Sequence, residues 1–369
     1  MIKVLQVYKT ALPITFGGVE SVIDSLCRGN QHEVVNQVFC LNDNPSNSKI
    51  TFNGYIIHQA KEDFYFASTG FSVSAFRMFQ KIVDDFDIVH YHFPNPFGDI
   101  LHFLCKVNKP FVVTYHSDII KYKVLYYMYK PFMISFLNKA KHIVCTSSNY
   151  MESSPIINKL TTDKSVIPLG IDKMIATDLS NSRRSYWQNR FKKPFFLFTG
   201  VIRYYKGLEF AISAFNRIDA LLVIAGEGPR KRKLENLVMK KSLKNIIFLG
   251  KVEEEDKKCL LDLCYAFIFP SHLRSEAFGV SLLEASMFEK AMITCDISTG
   301  TSYVNKHNET GLVVKPASSH ELKKAIKYFL SNPKLVKKFG FNARKRAITK
   351  FCEDNARQKY LDIYHKILQ

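Results

Sequence analysis

Residues 275–285 read SEAFGVSLLEA and place two carboxylates, Glu276 and Glu284, around a Phe-Gly pair. They follow the apolar run 266–270, a strand candidate, so both belong to a strand end. A carboxylate accepts hydrogen bonds from vicinal hydroxyls, so one of the two can hold a sugar and the other a ribose. A second reading is purely local. Ser281-Leu-Leu-Glu284 matches a capping pattern, and Glu284 would then serve only a helix end. A helix beginning near Gly279 also turns its N-terminus toward any anion beside it.

Cations and histidines stand at other strand ends. In GVIRYYKGL, Arg203 and Lys206 flank a turn closed by Gly207, where both can converge on one diphosphate or remain two solvated cations. HYHFPNPFGD and TYHSDI end their strands with His90, His92 and His116. A single strand-end histidine is more often structural; three in one half leave structural and functional roles equally open. No third carboxylate or cysteine stands at metal-like spacing beside them, so no metal is expected. In PITFGGVES, the paired Gly17 and Gly18 let backbone approach a ligand ahead of a helix, or form an ordinary turn. Gly226 and Gly228 of GEGP read as turn residues, and the RKRK that follows as a basic face.

Short Val/Ile/Phe-rich runs must position these groups. The first half carries them at 2–8, 33–41, 54–59, 87–92, 111–116 and 142–147. The second carries them at 195–200, 220–226, 245–250, 266–271, 291–296 and 311–316. Continuous apolar runs indicate parallel strands buried on both faces, and helical patterns between them give two doubly wound α/β domains. Such sheets bind ligands at the carboxyl ends of their strands. The seam is expected near SVIPLGID, giving domains 1–168 and 169–350. A closing amphipathic helix within 351–369 carries Leu361, Tyr364 and Leu368 at helical spacing.

Composition sets the outer bounds. A chain of 369 residues is long for one core, and 47% hydrophobic with 23% charged residues describes an ordinary globular protein. Its eight scattered cysteines show no zinc-like pairing and suit a reducing compartment. Residues 1–168 hold 16 Lys and Arg against 13 Asp and Glu, whereas the remainder holds 36 against 20. The net charge of +19 therefore lies mostly in the second half and favours anionic partners. The opening MIKVLQVY reads as a strand rather than a signal peptide, and the apolar stretch 124–137 is too short and too polar to span a bilayer. A cytoplasmic or membrane-surface protein is expected. KYKVLYYMYKPFMISFLNKAKH (121–142) mixes lysines with aromatic residues, as an interfacial patch would, or as a helix with a core stripe and a basic outer face.

The motifs occur in an informative order: GGVE (17–20), HSDI (116–119), PLGID (168–172), R-x-x-K-G (203–207), GEGP (226–229) and E-x-F-G-x-x-x-x-E (276–284). Together they resemble the retaining nucleotide-sugar glycosyltransferases of family 4. The resemblance covers essentially the whole chain, and DISTGTSYVNKHNETGLVV (296–314) looks most like bacterial enzymes that assemble O-antigen or exopolysaccharide. It implies the GT-B fold, two Rossmann-like domains facing a central cleft, with the first on the acceptor side and the last helix crossing back onto it.

In such enzymes the position of Glu276 contacts the donor sugar and that of Glu284 the ribose. Amides near Gly279 and Val280 meet the diphosphate, which Lys206 neutralises. Gly17 and Gly18 approach the phosphates, and His116 lies beside the anomeric carbon. The chain departs from the pattern at Val201, where the family carries arginine, leaving Arg203 as the substitute. Cys352 likewise stands where an aromatic is common. The implied reaction moves a hexose, with mannose from GDP-mannose the first choice and UDP or TDP sugars the alternatives, to a polyprenyl-diphosphate-linked saccharide. It would run with retention, with no cofactor or metal, peripherally on an anionic membrane. A nucleic-acid binder, prompted by the charge, lacks any RRM, KH or helix-turn-helix signature. An inactive scaffold of the same fold, or another GT-B enzyme such as an epimerase, shares the motifs.

Overall fold

The computed structural model describes residues 1–29, 32–120, 122–177 and 179–369. The chain forms two units: Met1–Gly170 with Glu353–Gln369, and Ile171–Cys352. Both crossings fall two residues beyond the expected boundaries. In the second unit Ile171 bridges Cys352 and its N–H donates to the Phe351 carbonyl at 2.7 Å, so the unit's first and last residues lie side by side.

The first unit carries β1 (Ile2–Val7), β2 (Val34–Asn42), β3 (Lys49–Phe52), β4 (Tyr55–Lys61), β5 (Phe64–Phe66), β6 (Thr69–Phe71), β7 (Ile88–Phe93), β8 (Phe111–Tyr115), β9 (His142–Cys145) and β10 (Lys164–Val166). Eight of them form one sheet in the order β10-β9-β8-β7-β1-β2-β4-β3, while β5 and β6 pair as a separate hairpin. Every ladder of the large sheet is parallel except β3–β4. That edge corrects the sequence reading, which began a strand at Gly54. Asn53 and Gly54 are the turn of a hairpin, with φ of +46° and +83°, a pairing that suits Asn-Gly and that no continuous apolar run marks. Strands β5, β6 and β10 were also not expected; each has only three residues, too short for a pattern.

The second unit is one parallel six-stranded sheet of β11 (Phe195–Thr199), β12 (Leu221–Ala225), β13 (Ile246–Gly250), β14 (Ala266–Phe269), β15 (Met292–Cys295) and β16 (Gly311–Val314). All six strands lie within the runs read from the sequence. Their order, β13-β12-β11-β14-β15-β16, reverses between β11 and β14. A crevice opens at such a reversal, because the connections on its two sides leave in opposite directions. In the first unit the reversal lies between β1 and β7.

The closing helix Glu353–Leu368 belongs to the first unit. It buries Tyr360, Leu361, Ile363 and Tyr364 against Ile2, Val4, Leu26, Ile88, Val112 and Val144. Leu368, expected on the same stripe, is exposed instead. The polar stretch after the seam folds as the helix Asn181–Arg190, whose Trp187 donates to Asp256 at 2.9 Å; Asp178, where that stretch begins, lies outside the described residues. All eight cysteines are free thiols.

Asp99, in the first turn of the helix Pro96–Leu104, is buried beneath Tyr129, whose hydroxyl donates to it. Burial pushes its carboxyl up to about 8, against the pull of the Tyr129 hydrogen bond and Lys9. The folded chain thus keeps a proton that the unfolded chain releases near pH 4. The resulting stability is complete below the unfolded value and is lost as pH rises toward 8, by at most about 1.4 kcal/mol per pH unit. Asp99→Asn should remove that slope, so that urea midpoints compared at pH 5 and pH 8 differ less in the variant than in the parent.

Candidate functional site

Lys206 and Glu276 leave the two strands that flank the reversal in the second unit. After β11 the chain makes a single 3-10 turn, Tyr204–Lys206, and stops at Gly207. Gly207 has φ of +64°, and a Cβ there would strike the Pro270 carbonyl just past β14. Only glycine lets these two strand ends approach so closely. The approach carries Lys206 Nζ to 2.5 Å from Glu276 Oε2 and to 4.5 Å from the Phe269 ring centroid. Ser271 Oγ donates to the same Glu276 oxygen at 3.0 Å. Both charged side chains are about nine-tenths buried, at 11% and 10% exposure. Their attraction acts in a weakly screened setting, and either one alone would be a stranded charge.

Arg203 has a different partner. It is exposed and hydrogen-bonds Tyr205, whose phenol is pushed up to about 12 by burial and then by Glu276. Tyr205 thus interacts with Arg203 and also with the buried pair, its ring centroid lying 5.5 Å from Lys206 Nζ. The sequence reading missed it because an aromatic in a turn has no periodic signature. Val201, at the position where the resemblance would put arginine, is an exposed apolar residue.

The helix Val280–Met287 starts at Gly279, φ +90°, with no side chain capping it. Leu282 N–H donates to the Gly279 carbonyl at 2.9 Å, while the amides that lead the helix, at Gly279 and Val280, meet no capping side chain. This overturns the capping reading of Ser281-Leu-Leu-Glu284: Ser281 lies inside the helix, not at its cap. Glu284 instead accepts from Lys257 Nζ at 2.9 Å, across from the helix Glu254–Leu263. Burial pulls the Lys257 ammonium down, and Glu284 and Glu254 more than offset it, leaving it above its ordinary range. Lys257 was missed as well. It sits in the charged run EEEDKK, which reads as a solvated face, and nothing in its spacing points to Glu284.

In the first unit, Gly17 and Gly18 follow β1 at the reversal, with Gly17 preceding the helix Gly18–Arg28. Gly17 has an extended backbone that any residue can adopt, but a Cβ there would run into the carboxylate of Glu20. Thr10 Oγ1 donates to that carboxylate at 2.8 Å. His116 follows β8, and its N–H donates to the Phe93 carbonyl at the end of β7. Asp118 pins the loop beyond it by accepting from Tyr115 and Ser154 at 2.8 and 2.7 Å. His90, His92 and His116 stack in succession, with ring centroids 4.6 and 5.2 Å apart. Burial holds His90 and His116 down at about 3 and His92 well below its usual value, so all three are neutral at pH 7. His90 is wholly enclosed between Tyr364 and Thr114 and takes the structural role. Among the described residues no three His, Cys, Asp or Glu side chains gather as a metal site.

Residues 16–173 match the family model described as Glycosyltransferase Family 4, and residues 182–346 the one described as Glycosyl transferases group 1. The chain belongs to glycosyltransferase family 4. A D-rhamnosyltransferase of Pseudomonas aeruginosa, WbpZ, is 44% identical over 93% of this chain and 91% of its own length. O-antigen chain mannosyltransferase C of Escherichia coli is 37% identical over 100% of this chain and 99% of its own. Among solved structures, sucrose-phosphate synthase from Thermosynechococcus elongatus superposes with a TM-score of 0.79 at 17% identity, covering 100% and 99% of the two chains. HepE from Anabaena, solved with UDP, gives 0.78 at 16% identity, covering 99% and 100%. The family 4 chain has the GT-B fold and is a glycosyltransferase.

The buried pair can be tested directly. Lys206→Met and Glu276→Gln each remove half of it, and Lys206→Met should cost about 3–5 kcal/mol by leaving a charge unpaired. The double variant should be more stable than Lys206→Met alone. Denaturant unfolding of the four proteins reads this coupling, and strict additivity would refute it.

Proposed function

We propose that this glycosyltransferase moves a hexose with retention from a nucleotide-sugar to a polyprenyl-diphosphate-linked saccharide in bacterial O-antigen synthesis. The observation that carries the reading is the buried Lys206–Glu276 pair at the strand-order reversal. An ammonium there stabilises the charge that grows on a departing diphosphate, and the carboxylate beside it accepts hydrogen bonds from donor-sugar hydroxyls. The uncapped amides at Gly279 and Val280 suit the diphosphate, and Glu284, oriented by Lys257, suits the ribose. Arg203, Gly17, Gly18 and His116 complete the proposed set. With cations supplied by the chain itself, the reaction proceeds without a metal or cofactor. The leaving group departs from the face that the acceptor hydroxyl then attacks, which keeps the configuration.

Mannose from GDP-mannose is the leading donor, supported by the name of the full-length Escherichia coli relative. The Pseudomonas relative favours a second donor, because D-rhamnose is mannose without its 6-hydroxyl. The O-antigen setting is supported by the name of the Escherichia coli relative. Peripheral membrane docking is supported by the helix Lys123–Lys139, which exposes Val124, Leu125, Tyr127 and Met128 close to Lys130. Lys121, the first lysine of that stretch, lies outside the described residues. No helix among the described residues is long and apolar enough to cross a membrane.

Calorimetric titration with GDP, UDP, TDP and CDP, with and without EDTA, should show GDP bound most tightly and EDTA without effect. Glu284→Ala should weaken that binding at least about tenfold, the worth of a charge-assisted hydrogen bond. Equal binding of all four nucleotides, or loss of binding in EDTA, would count against the donor and against metal independence. Sedimentation with vesicles should pull down the protein with anionic lipid and not with neutral lipid. Replacing Tyr127 and Met128 with serine should reduce the bound fraction.

A further inference from the structure

We infer that a one-way hydrogen-bond chain, starting at the Leu26 carbonyl and running through Asn36, Gln6 and His92, fixes His116 in the Nε2–H tautomer and leaves its Nδ1 able only to accept. That this nitrogen meets a substrate hydroxyl rests on the proposed function; the direction of the chain does not.

Each link is dictated by the one before it. Leu26 lies in the last turn of the helix Gly18–Arg28, where a carbonyl has no intrahelical donor. A carbonyl can only accept, so the Asn36 atom 3.1 Å away is its amide nitrogen. The Asn36 oxygen therefore faces Gln6, at 2.8 Å, and takes a proton of the Gln6 amide. The second proton of that amide goes to the Tyr364 hydroxyl at 3.3 Å. With both of its protons engaged, Gln6 can turn only its oxygen toward His92 Nε2, 2.8 Å away, so His92 carries its proton there. A neutral His92 then has a bare Nδ1. The atom facing it at 2.9 Å is His116 Nε2, which must be the donor. A neutral His116 is left with an unprotonated Nδ1. Burial keeps both rings neutral throughout the physiological range.

The second branch agrees. Tyr364, having accepted from Gln6, donates to His90 Nδ1 at 2.6 Å, and His90 donates from Nε2 to Thr114 at 2.7 Å. Every polar atom of this buried network upstream of His116 Nδ1 has a partner of the right sense, which is what permits it inside a core. Gln6, Asn36 and His92 are therefore positioning residues. Their effect is to prevent His116 from ever offering a proton at Nδ1, so a sugar hydroxyl meets it as a donor.

Long-range proton–nitrogen NMR of the full, uniformly 15N-labelled chain distinguishes protonated from bare imidazole nitrogens. His116 is assigned by the signals lost in His116→Gln. The expected spectrum has His116 Nδ1 bare and Nε2 protonated, unchanged from pH 5.5 to pH 8. Gln6→Met, close in volume, should mix the tautomers of His92 and His116; Asn36→Leu should do the same and serves if the first variant does not fold. Turnover in the variant should fall about tenfold with donor KM held within about twofold, the split expected when a transition-state contact is lost. A wild-type His116 protonated at Nδ1, or unaltered tautomers in both variants, overturns the chain. Mixed tautomers with unchanged turnover overturn the role of Nδ1 at the substrate. The spectra need no substrate, so an inactive wild-type protein with the expected spectrum would sink the proposed function and leave the chain standing.

Discussion

The strand-order reversal governs the candidate site. A parallel sheet covered on both faces has no room for reactive polar groups along its strands, so they gather where the strands end. At most ends the connections crowd over the sheet. Between β11 and β14 they diverge, and the opened space admits Lys206 from one side and Glu276 from the other. Gly207 makes the meeting possible by letting backbone pass within contact of Pro270. In the first unit the same geometry between β1 and β7 places the Gly17-Gly18 turn. The two units thus arrive by one constraint at sites of different chemistry.

Those chemistries differ in how burial is made tolerable. In the second unit burial is offset by opposite charge: Lys206 with Glu276, and Lys257 with Glu284 and Glu254. In the first it is offset by neutrality, with three imidazoles held uncharged and joined by hydrogen bonds to Gln6, Thr114 and the C-terminal tyrosines. On the proposed function, the Lys206 ammonium suits a diphosphate, where charge develops, and the neutral His116 offers a hydroxyl an acceptor without a charge. The closing helix therefore has two functions: it covers the first sheet with Leu361 and Ile363, and its Tyr360 and Tyr364 complete the polar network.

The sequence by itself determined the strands of the second sheet, since continuous Phe, Ile and Val runs can be buried only one way. It also marked Lys206, Glu276, Glu284 and His116, because their residue types at strand ends are chemically conspicuous. It left the hairpin at Asn53-Gly54 unread, and it offered a capping role for Glu284 that the fold refutes. Lys257, Tyr205, Ser271, Gln6 and Asn36 became visible only in three dimensions. Their partners lie on other elements, and hydrogen bonds between distant segments leave no period in a sequence. Tertiary structure alone enclosed His90 and His92 completely and made His116 the end of the chain of donors, the latter because it depends on the direction of each bond rather than on residue type.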